Sequence, residues 1–400
     1  MSKWEIFKIG DVCKTSSGGT PLKLNNDYYD NGDIPWLVSG EVCQKNILNN
    51  KNYITQKGLE NSSAKLFPVN TVLVAMYGAT AGQVGILRFE SATNQAICGI
   101  LPNKRIIPEF LYYALLFKKS ELIAQATGNA QPNISQIKIK NTKIPVPPIE
   151  EQKRIVEILD KAFEGIAQAE ANTRRNLINA RELFDSCLDN IFIEKGDNWI
   201  ESILSQVCQF ENGDRGKNYP NREEYVKSGI PWINTGHIQP DGTLSQSEMN
   251  FISREKYETL RGGKIQPGDL VYCLRGATIG KTALVDPLSI GAIASSLVIL
   301  RPNKSLDSKF LYYFLISSPA RKQIKLYDNG AAQPNLGAKS VAKYIIYFPE
   351  FSEQKNIVKK LDILAEETKK LETIYQRKLE AIAELKQSIL EKAFTGQLSQ

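Results

Sequence analysis

Two stretches of the chain carry apolar residues at alternating intervals of three and four. Over about 150–192, Ile155, Leu159, Ala162, Ile166, Ala169, Thr173, Ala180 and Cys187 fall on one stripe. After 351, Ile357, Leu361, Leu364, Thr368, Leu371, Tyr375, Ile382, Leu385 and Ile389 fall on another. The first stretch has no proline and a single glycine, Gly165. A seam held over about four to five heptads predicts two long helices that pair as a coiled coil, each spanning about 60 Å for forty residues. Each begins after a proline-rich stop, Pro145-Val146-Pro147-Pro148 in one case and Phe348-Pro349 in the other. Glu150 and Glu151 fall in the first turn of one helix and Glu353 in that of the other, where acidic groups complement the helix dipole. With one helix in mid-chain and the other at the C-terminus, an antiparallel pair is expected. Two helices each packed on its own domain is the alternative.

The remaining segments follow a different pattern. Residues 1–149 and 198–350 are rich in Gly, Asn, Pro and aromatics, with short β-like runs such as 71–74 and 269–272 bounded by turn residues. Each also carries one helical spacing, around 108–124 and 308–326. They predict two α/β domains. The division expected is therefore a globular domain over 1–149, a helix over 150–197, a second globular domain over 198–350 and a helix over 351–400.

The globular segments repeat one another. WEIFKIGDVC at 4–13 returns as WIESILSQVC at 199–208, and Ile34-Pro35-Trp36 returns as Ile230-Pro231-Trp232. Gly78-Ala79-Thr80-Ala81-Gly82 reappears as Gly276-Ala277-Thr278-Ile279-Gly280, Ala130-Gln131-Pro132-Asn133 as Ala332-Gln333-Pro334-Asn335, and Glu151-Gln152-Lys153 as Glu353-Gln354-Lys355. The order is unchanged, so half the chain is one structural unit and the other half its copy. The fold class expected is mixed α/β: two similar globular domains joined and separated by two long antiparallel helices, with a pseudo-two-fold internal repeat. Such symmetry matches that of a DNA duplex.

Charge sharpens this picture. The whole chain carries a net charge of +7, but Lys and Arg exceed Asp and Glu by 6 in 1–149, by 4 in 198–350 and by 1 in 351–400, whereas 150–197 has an acidic excess of 4. A polyanion touching only the two globular segments accounts for that distribution. No run of eighteen apolar residues and no signal peptide is present, which predicts a cytoplasmic protein. The six cysteines are scattered without a C-x-x-C pair, and the single His237 cannot complete a zinc pattern, so buried reduced thiols and no metal are expected.

Catalytic patterns fail on inspection. The stretch 275–282 approaches a phosphate-binding P-loop, but the glycine that motif needs first is Arg275, and the other copy lacks the lysine. The Pro-Pro at 147–148 follows Val rather than the Asp or Asn of an amino-methyltransferase loop. No nucleophile elbow or His/Cys/Asp constellation appears, so the chain by itself is expected to be non-catalytic.

Binding chemistry is better supplied. Polar, Gly-containing loops occupy equivalent places in the two copies and offer Lys14, Ser17, Thr20 and Lys23 in the first and Arg215, Lys217 and Tyr219 in the second. Arg and Lys can neutralise phosphate or bond guanine, and Asn and Gln can bond adenine. A plain surface loop is the alternative. Tyr77, Thr80 and Gln83 answer to Arg275, Thr278 and Lys281, side chains set on a constant Gly-Ala-Thr turn, as expected if each copy reads different bases. Gln131, Asn133, Gln333 and Asn335 are further candidates, or else members of a capping turn. Trp36 and Trp232 read as core aromatics. For contacts within the helix pair or to partner chains the candidates are Glu151, Gln152, Ile155, Leu159 and Ile166 from the first helix. Those of the second are Glu353, Gln354, Ile357, Leu361, Leu364, Leu371, Ile382, Leu385 and Ile389.

Taken together, the Trp-x-x-x-x-Ile/Leu-x-x-Val opening, the Ile-Pro-Trp strand, the Gly-Ala-Thr-x-Gly turn, Gln-Pro-Asn and the Pro-rich stop before Glu-Gln, all present twice, resemble the specificity subunit of type I restriction-modification systems. The resemblance covers essentially the whole chain, including QSILEKAFTG at 387–396. It implies two target recognition domains, each reading one half of a split site in double-stranded DNA, with the helices as a ruler. It also implies assembly with two modification subunits that methylate adenine with S-adenosylmethionine, and with restriction subunits that use ATP and Mg2+. The chain itself would bind no cofactor. Departures are confined to the degraded second stop at 347–350 and the shortened end of the first helix at 187–192. A stand-alone DNA-binding regulator, an enzyme with unfamiliar motifs and a coiled-coil scaffold are the remaining classes.

Overall fold

A computed structural model describes residues 4–126, 133–327 and 336–398. The chain divides into two compact units, one formed by residues 1–174 with 377–400 and the other by 175–376. Each unit holds two small sheets, a terminal strand pair, and parts of both long helices.

In the first unit a five-stranded sheet runs in the order Thr15–Ser17, Ile97–Ile100, Val72–Ala75, Val84–Leu87, Asn46–Ile47. A second sheet places Ile34–Leu37 between Tyr53–Ile54 and Ser91–Thr93, with Leu66–Phe67 at its edge. Strand Val72–Ala75 is buried throughout because both of its faces are covered: Val72 and Val74 face a core shared with helix Pro108–Phe117, and Leu73 and Ala75 a core under the second sheet. The opening strand Glu5–Lys8 pairs antiparallel with Lys143–Val146, so the repeated Trp-led segment closes the domain just before the helix begins.

The second unit repeats this plan. Cys208–Asn212, Leu297–Pro302, Leu270–Cys273 and Thr282–Leu284 form one sheet, and Ile230–Ile233 lies between Asn250–Ile252 and Ala292–Ile293 in the other. Ile200–Ile203 pairs with Ile345–Phe348 as the closing strands.

The two long helices are continuous over Ile149–Glu194 and Phe351–Phe394. In the first unit their contacts run antiparallel: Arg154 bonds the Leu398 carbonyl, and Glu170 pairs with Lys386. In the second, Arg181 pairs with Glu372, while Leu188 and Phe192 share a core with Val358 and Leu361. The helix ends also enter the domain cores. Ile155, Val156 and Leu159 join Leu390, Ala393 and Phe394 around Phe110, where the Phe394 ring stacks on Phe117. Helix pairing and packing on a domain, posed as alternatives by the spacing, therefore coexist. Ile155, Leu159, Ile166, Thr173, Ala180, Leu361 and Ile382 of the seam are buried, and Leu371 and Leu385 depart from it, being 39% and 48% exposed.

Other elements differ from the sequence expectation in detail. The helix expected over 108–124 breaks into Pro108–Phe117 and Lys119–Ala124, and that over 308–326 into Ser308–Ile316 and Ser318–Tyr327. In the second case Ser317 is extended, and Pro319 has no N–H and is tolerated only in the first turn of a new helix. The apolar spacing runs across both breaks and conceals them.

Candidate nucleic-acid interface

Strand register gathers the polar loops at one end of each large sheet. In the first unit, Thr15–Ser17 ends and Ile97–Ile100 begins at that end, and the turn joining Val72–Ala75 to Val84–Leu87 caps it. Ile134 N–H donates to Met76 O, which brings in the segment containing Asn133. Ser17, Thr20, Tyr77, Thr80, Gln83 and Asn133 therefore converge, although they span more than a hundred residues of sequence. Lys14 does not join them. It lies at the other end of its strand, where its carbonyl accepts from Leu101 N–H. Lys23 lines a separate hollow of about 580 Å³ with Tyr29, Trp36, Lys51 and Tyr53. Gln131 lies outside the described residues.

The turn is built by glycine. Gly78 and Gly82 have φ of 70° and 76°, and their counterparts Gly276 and Gly280 have 74° and 84°, values that L side chains rarely adopt. Between them Gly78–Thr80 and Gly276–Thr278 form one turn of 3-10 helix. The near-match to a P-loop is thus a hairpin turn present in both copies. It holds Tyr77 and Arg275 exposed at one corner and Thr80 and Thr278 half-exposed at the next. Lys281 is exposed, whereas Gln83 is half-buried with its carbonyl oxygen enclosed.

A polar network behind the first loop was not legible in the sequence. Ser17 Oγ donates to Gln136 Oε1 at 3.1 Å, Gln136 Nε2 donates to Thr15 Oγ1 at 2.9 Å, and Lys65 Nζ donates to Ser16 Oγ at 3.0 Å. Thr20 Oγ1 donates to Gln95. Lys65, Gln95 and Gln136 come from three other segments, and only the strand register brings them to the loop. Trp36 holds the loop from below, its Nε1–H donating to Gly19 O at 3.0 Å, while Gly18 fits a space that a Cβ would fill. In the second unit Gly213 is wedged in the same way against Ile293 and Ala294.

That unit places Arg215, Lys217, Tyr219, Arg275, Thr278 and Lys281 at the corresponding sheet end. Tyr219 packs edge-on to Trp232, with centroids 5.5 Å apart. Gln333 and Asn335 lie outside the described residues. The lone His237 is buried and structural: its Nδ1 accepts from Asn234 N–H at 3.1 Å, and desolvation holds its pKa below the ordinary value.

The Glu-Gln motif fixes each domain to its helix. Gln152 is fully buried; its Oε1 accepts from Ile107 N–H at 3.0 Å, and its Nε2 donates to Arg105 O and Pro147 O at 2.8 and 2.9 Å. Gln354 repeats the arrangement, accepting from Asp307 N–H at 2.8 Å and donating to Ser305 O and Pro349 O at 2.8 and 2.9 Å. Two turns further along each helix a tyrosine latch follows. Tyr113 Oη donates to Asp160 at 2.6 Å and Tyr313 Oη to Asp362 at 2.7 Å. Burial first, and the adjacent carboxylate second, push both phenols well above their ordinary pKa, so each remains a proton donor.

The family described as "Type I restriction modification DNA specificity domain" matches residues 1–180 and again 196–381. The chain belongs to this family. Curated relatives include the MjaIX specificity subunit of Methanocaldococcus jannaschii, 23% identical with 99% of this chain and 93% of that one aligned. The EcoKI specificity subunit of Escherichia coli is 25% identical, over 99% and 89% of the two chains. The EcoR124I/EcoR124II specificity subunit is 31% identical over 38% of this chain and 39% of that one. Among solved structures, a chain from a study of assembly and conformational transition in a type I system superposes with a TM-score of 0.80 at 22% identity, covering 98% of both chains. The HsdS subunit of Thermoanaerobacter tengcongensis gives 0.56 at 20% identity, over 99% of this chain and 97% of that one. The chain is thus a type I specificity subunit whose task is DNA target recognition, and the repeat seen in the sequence is the repeat of its specificity domain. Among the described residues no group of three or more His, Cys, Asp or Glu is placed to hold a metal ion, and no helix is long and apolar enough to cross a membrane.

Proposed function

We propose that the globular segments 1–149 and 198–350 each bind one half of an asymmetric, bipartite DNA target. The helical segments 150–197 and 351–400 set the number of unread base pairs between the halves. The observation that carries this reading is the same cluster of loops at the same sheet end in both copies, held on a constant glycine frame but presenting different side chains. A shared frame gives both domains one mode of docking, and different side chains give them different half-sites. Tyr77 against Arg275 and Gln83 against Lys281 are the clearest such pairs.

In this reading the chain performs no chemistry and binds no cofactor. It directs two modification subunits, which methylate adenine with S-adenosylmethionine, and restriction subunits, which consume ATP with Mg2+, all in the cytoplasm. Exposed apolar residues on the helices support docking of such partners. Ile363, Leu371 and Ile374 lie on one side of the second helix at 55%, 39% and 57% exposure.

Exchange of residues 198–350 for another domain of this type is expected to change one half of the methylated motif and leave the other half intact. The readout is methylation mapping with the modification subunits present. A change in both halves would contradict readout by separate domains.

A further inference from the structure

Beyond the Gly-Ala-Thr turn, the two copies also differ in charge beside the first loop of the interface. Backbone register aligns them position by position. Ser17 pairs with Cys98 as Asn212 pairs with Val298, which places Arg215 where the first copy has Thr20. Leu66 faces Ala92 as Lys264 faces Ala292, which places Arg261 at Ser63. Ile134 N–H bonds Met76 O as Leu336 N–H bonds Leu274 O, which places Lys339 at Ile137. Three neutral residues of the first copy, on three segments distant in sequence, are all cations in the second.

Those three cations line one open cleft of about 610 Å³ with Asn212, Gly213, Asp214 and Gly262. All three are exposed, and among the described residues none of their side chains has a carboxylate within salt-bridge distance. The single acid in the cleft is already committed. Asp214 accepts from Arg215 N–H at 2.7 Å and from Arg261 N–H at 2.9 Å, an arrangement that orders both loops around its carboxylate. The backbone N–H of Arg261 first, with that of Arg215, the Arg261 charge and the Asn218 side chain behind it, outweighs desolvation and holds its pKa below the ordinary carboxylate value. The equivalent surface of the first copy holds the neutral Thr20–Gln95 and Ser17–Gln136–Thr15 bonds, and Lys65 there is turned to Ser16.

We infer that Arg215, Arg261 and Lys339 form a DNA backbone-phosphate site belonging to the second half-site alone. This rests on the reading of 198–350 as a DNA-binding domain. Three exposed cations converging from three segments on one cleft suit a polyanion, whose backbone phosphates they would neutralise. The first domain, with its neutral network, then contributes less to the salt dependence of binding than the second.

The test uses the full-length chain assembled with its modification subunits, a duplex carrying the mapped target and a duplex lacking it, with binding followed by anisotropy across a salt series. R215Q/R261Q/K339Q is expected to lower the slope of log K against log salt by about 2 to 3, at about 0.9 per phosphate contact, on both duplexes alike, with the methylated motif unchanged. R215K/R261K/K339R, which keeps the charge, is expected to retain the slope and controls for folding. An unchanged slope in the neutral variant would overturn the site. So would an altered second half of the motif, which would make these residues base readers. Wild-type complex that binds both duplexes equally would overturn the underlying reading of DNA target recognition by these domains.

Discussion

A single buried amide does the same work in both halves of this chain. Gln152 and Gln354 each satisfy one backbone N–H and two carbonyls where a proline-rich segment turns into a long helix, and proline there supplies no N–H of its own. Truncation to alanine leaves those groups buried and unpaired. Q152A and Q354A are each expected to cost about 2 to 4 kcal/mol in urea unfolding; a loss below about 1 kcal/mol for either would show that the amide is not what fixes the helix. A second residue-scale expectation concerns Glu170, whose pKa is lowered chiefly by its hydrogen bond to Lys386 and then by Arg174. A depressed carboxylate contributes stability that is fully present above its unfolded value, about 4.3, and is lost as pH falls through the folded value. K386M is therefore expected to lower Tm modestly at pH 7, and the difference from wild type is expected to close on acidification below pH 4. A difference that persists at low pH would assign the effect to packing of the lysine stem.

At the scale of elements, the sequence exposed what repeats and hid what converges. The Ile-Pro-Trp strand, the Gly-Ala-Thr-x-Gly turn and the Glu-Gln helix start were legible because each is tied to a local backbone requirement: a core tryptophan, a positive φ, a buried amide. Lys65, Gln95, Gln136, Arg261 and Lys339 were not, because their nearness to the loops depends on strand register and not on spacing. Lys14 was misplaced for the converse reason: it adjoins the loop in sequence but sits at the far end of its strand. The breaks after Phe117 and Ile316 leave no mark in the apolar spacing, which continues across them. The long helices were legible from the three-four spacing alone, and their continuity over Ile149–Glu194 and Phe351–Phe394 is what a ruler requires. Inserting four residues, about one turn and about 6 Å, near the exposed Ala171 is expected to lengthen the unread spacer of the target. An active complex with an unchanged spacer would remove the helices from that role.

For the molecule as a whole, the internal repeat lets one chain present two related recognition surfaces. In the proposed reading, duplication fixes the mode of docking and divergence on the fixed frame fixes the bases, so the expected target has two unlike halves. The charge pattern agrees, with the positive excess on 1–149 and 198–350 and not on the first helix. The measurement that tests this most directly is single-molecule mapping of methylated adenine in cells carrying the cognate modification subunits, with and without this chain. A split motif with two different halves and a fixed gap, present only when the chain is present, is the predicted result. The absence of any chain-dependent mark, in cells where the complex assembles and the modification subunits are competent, would contradict it.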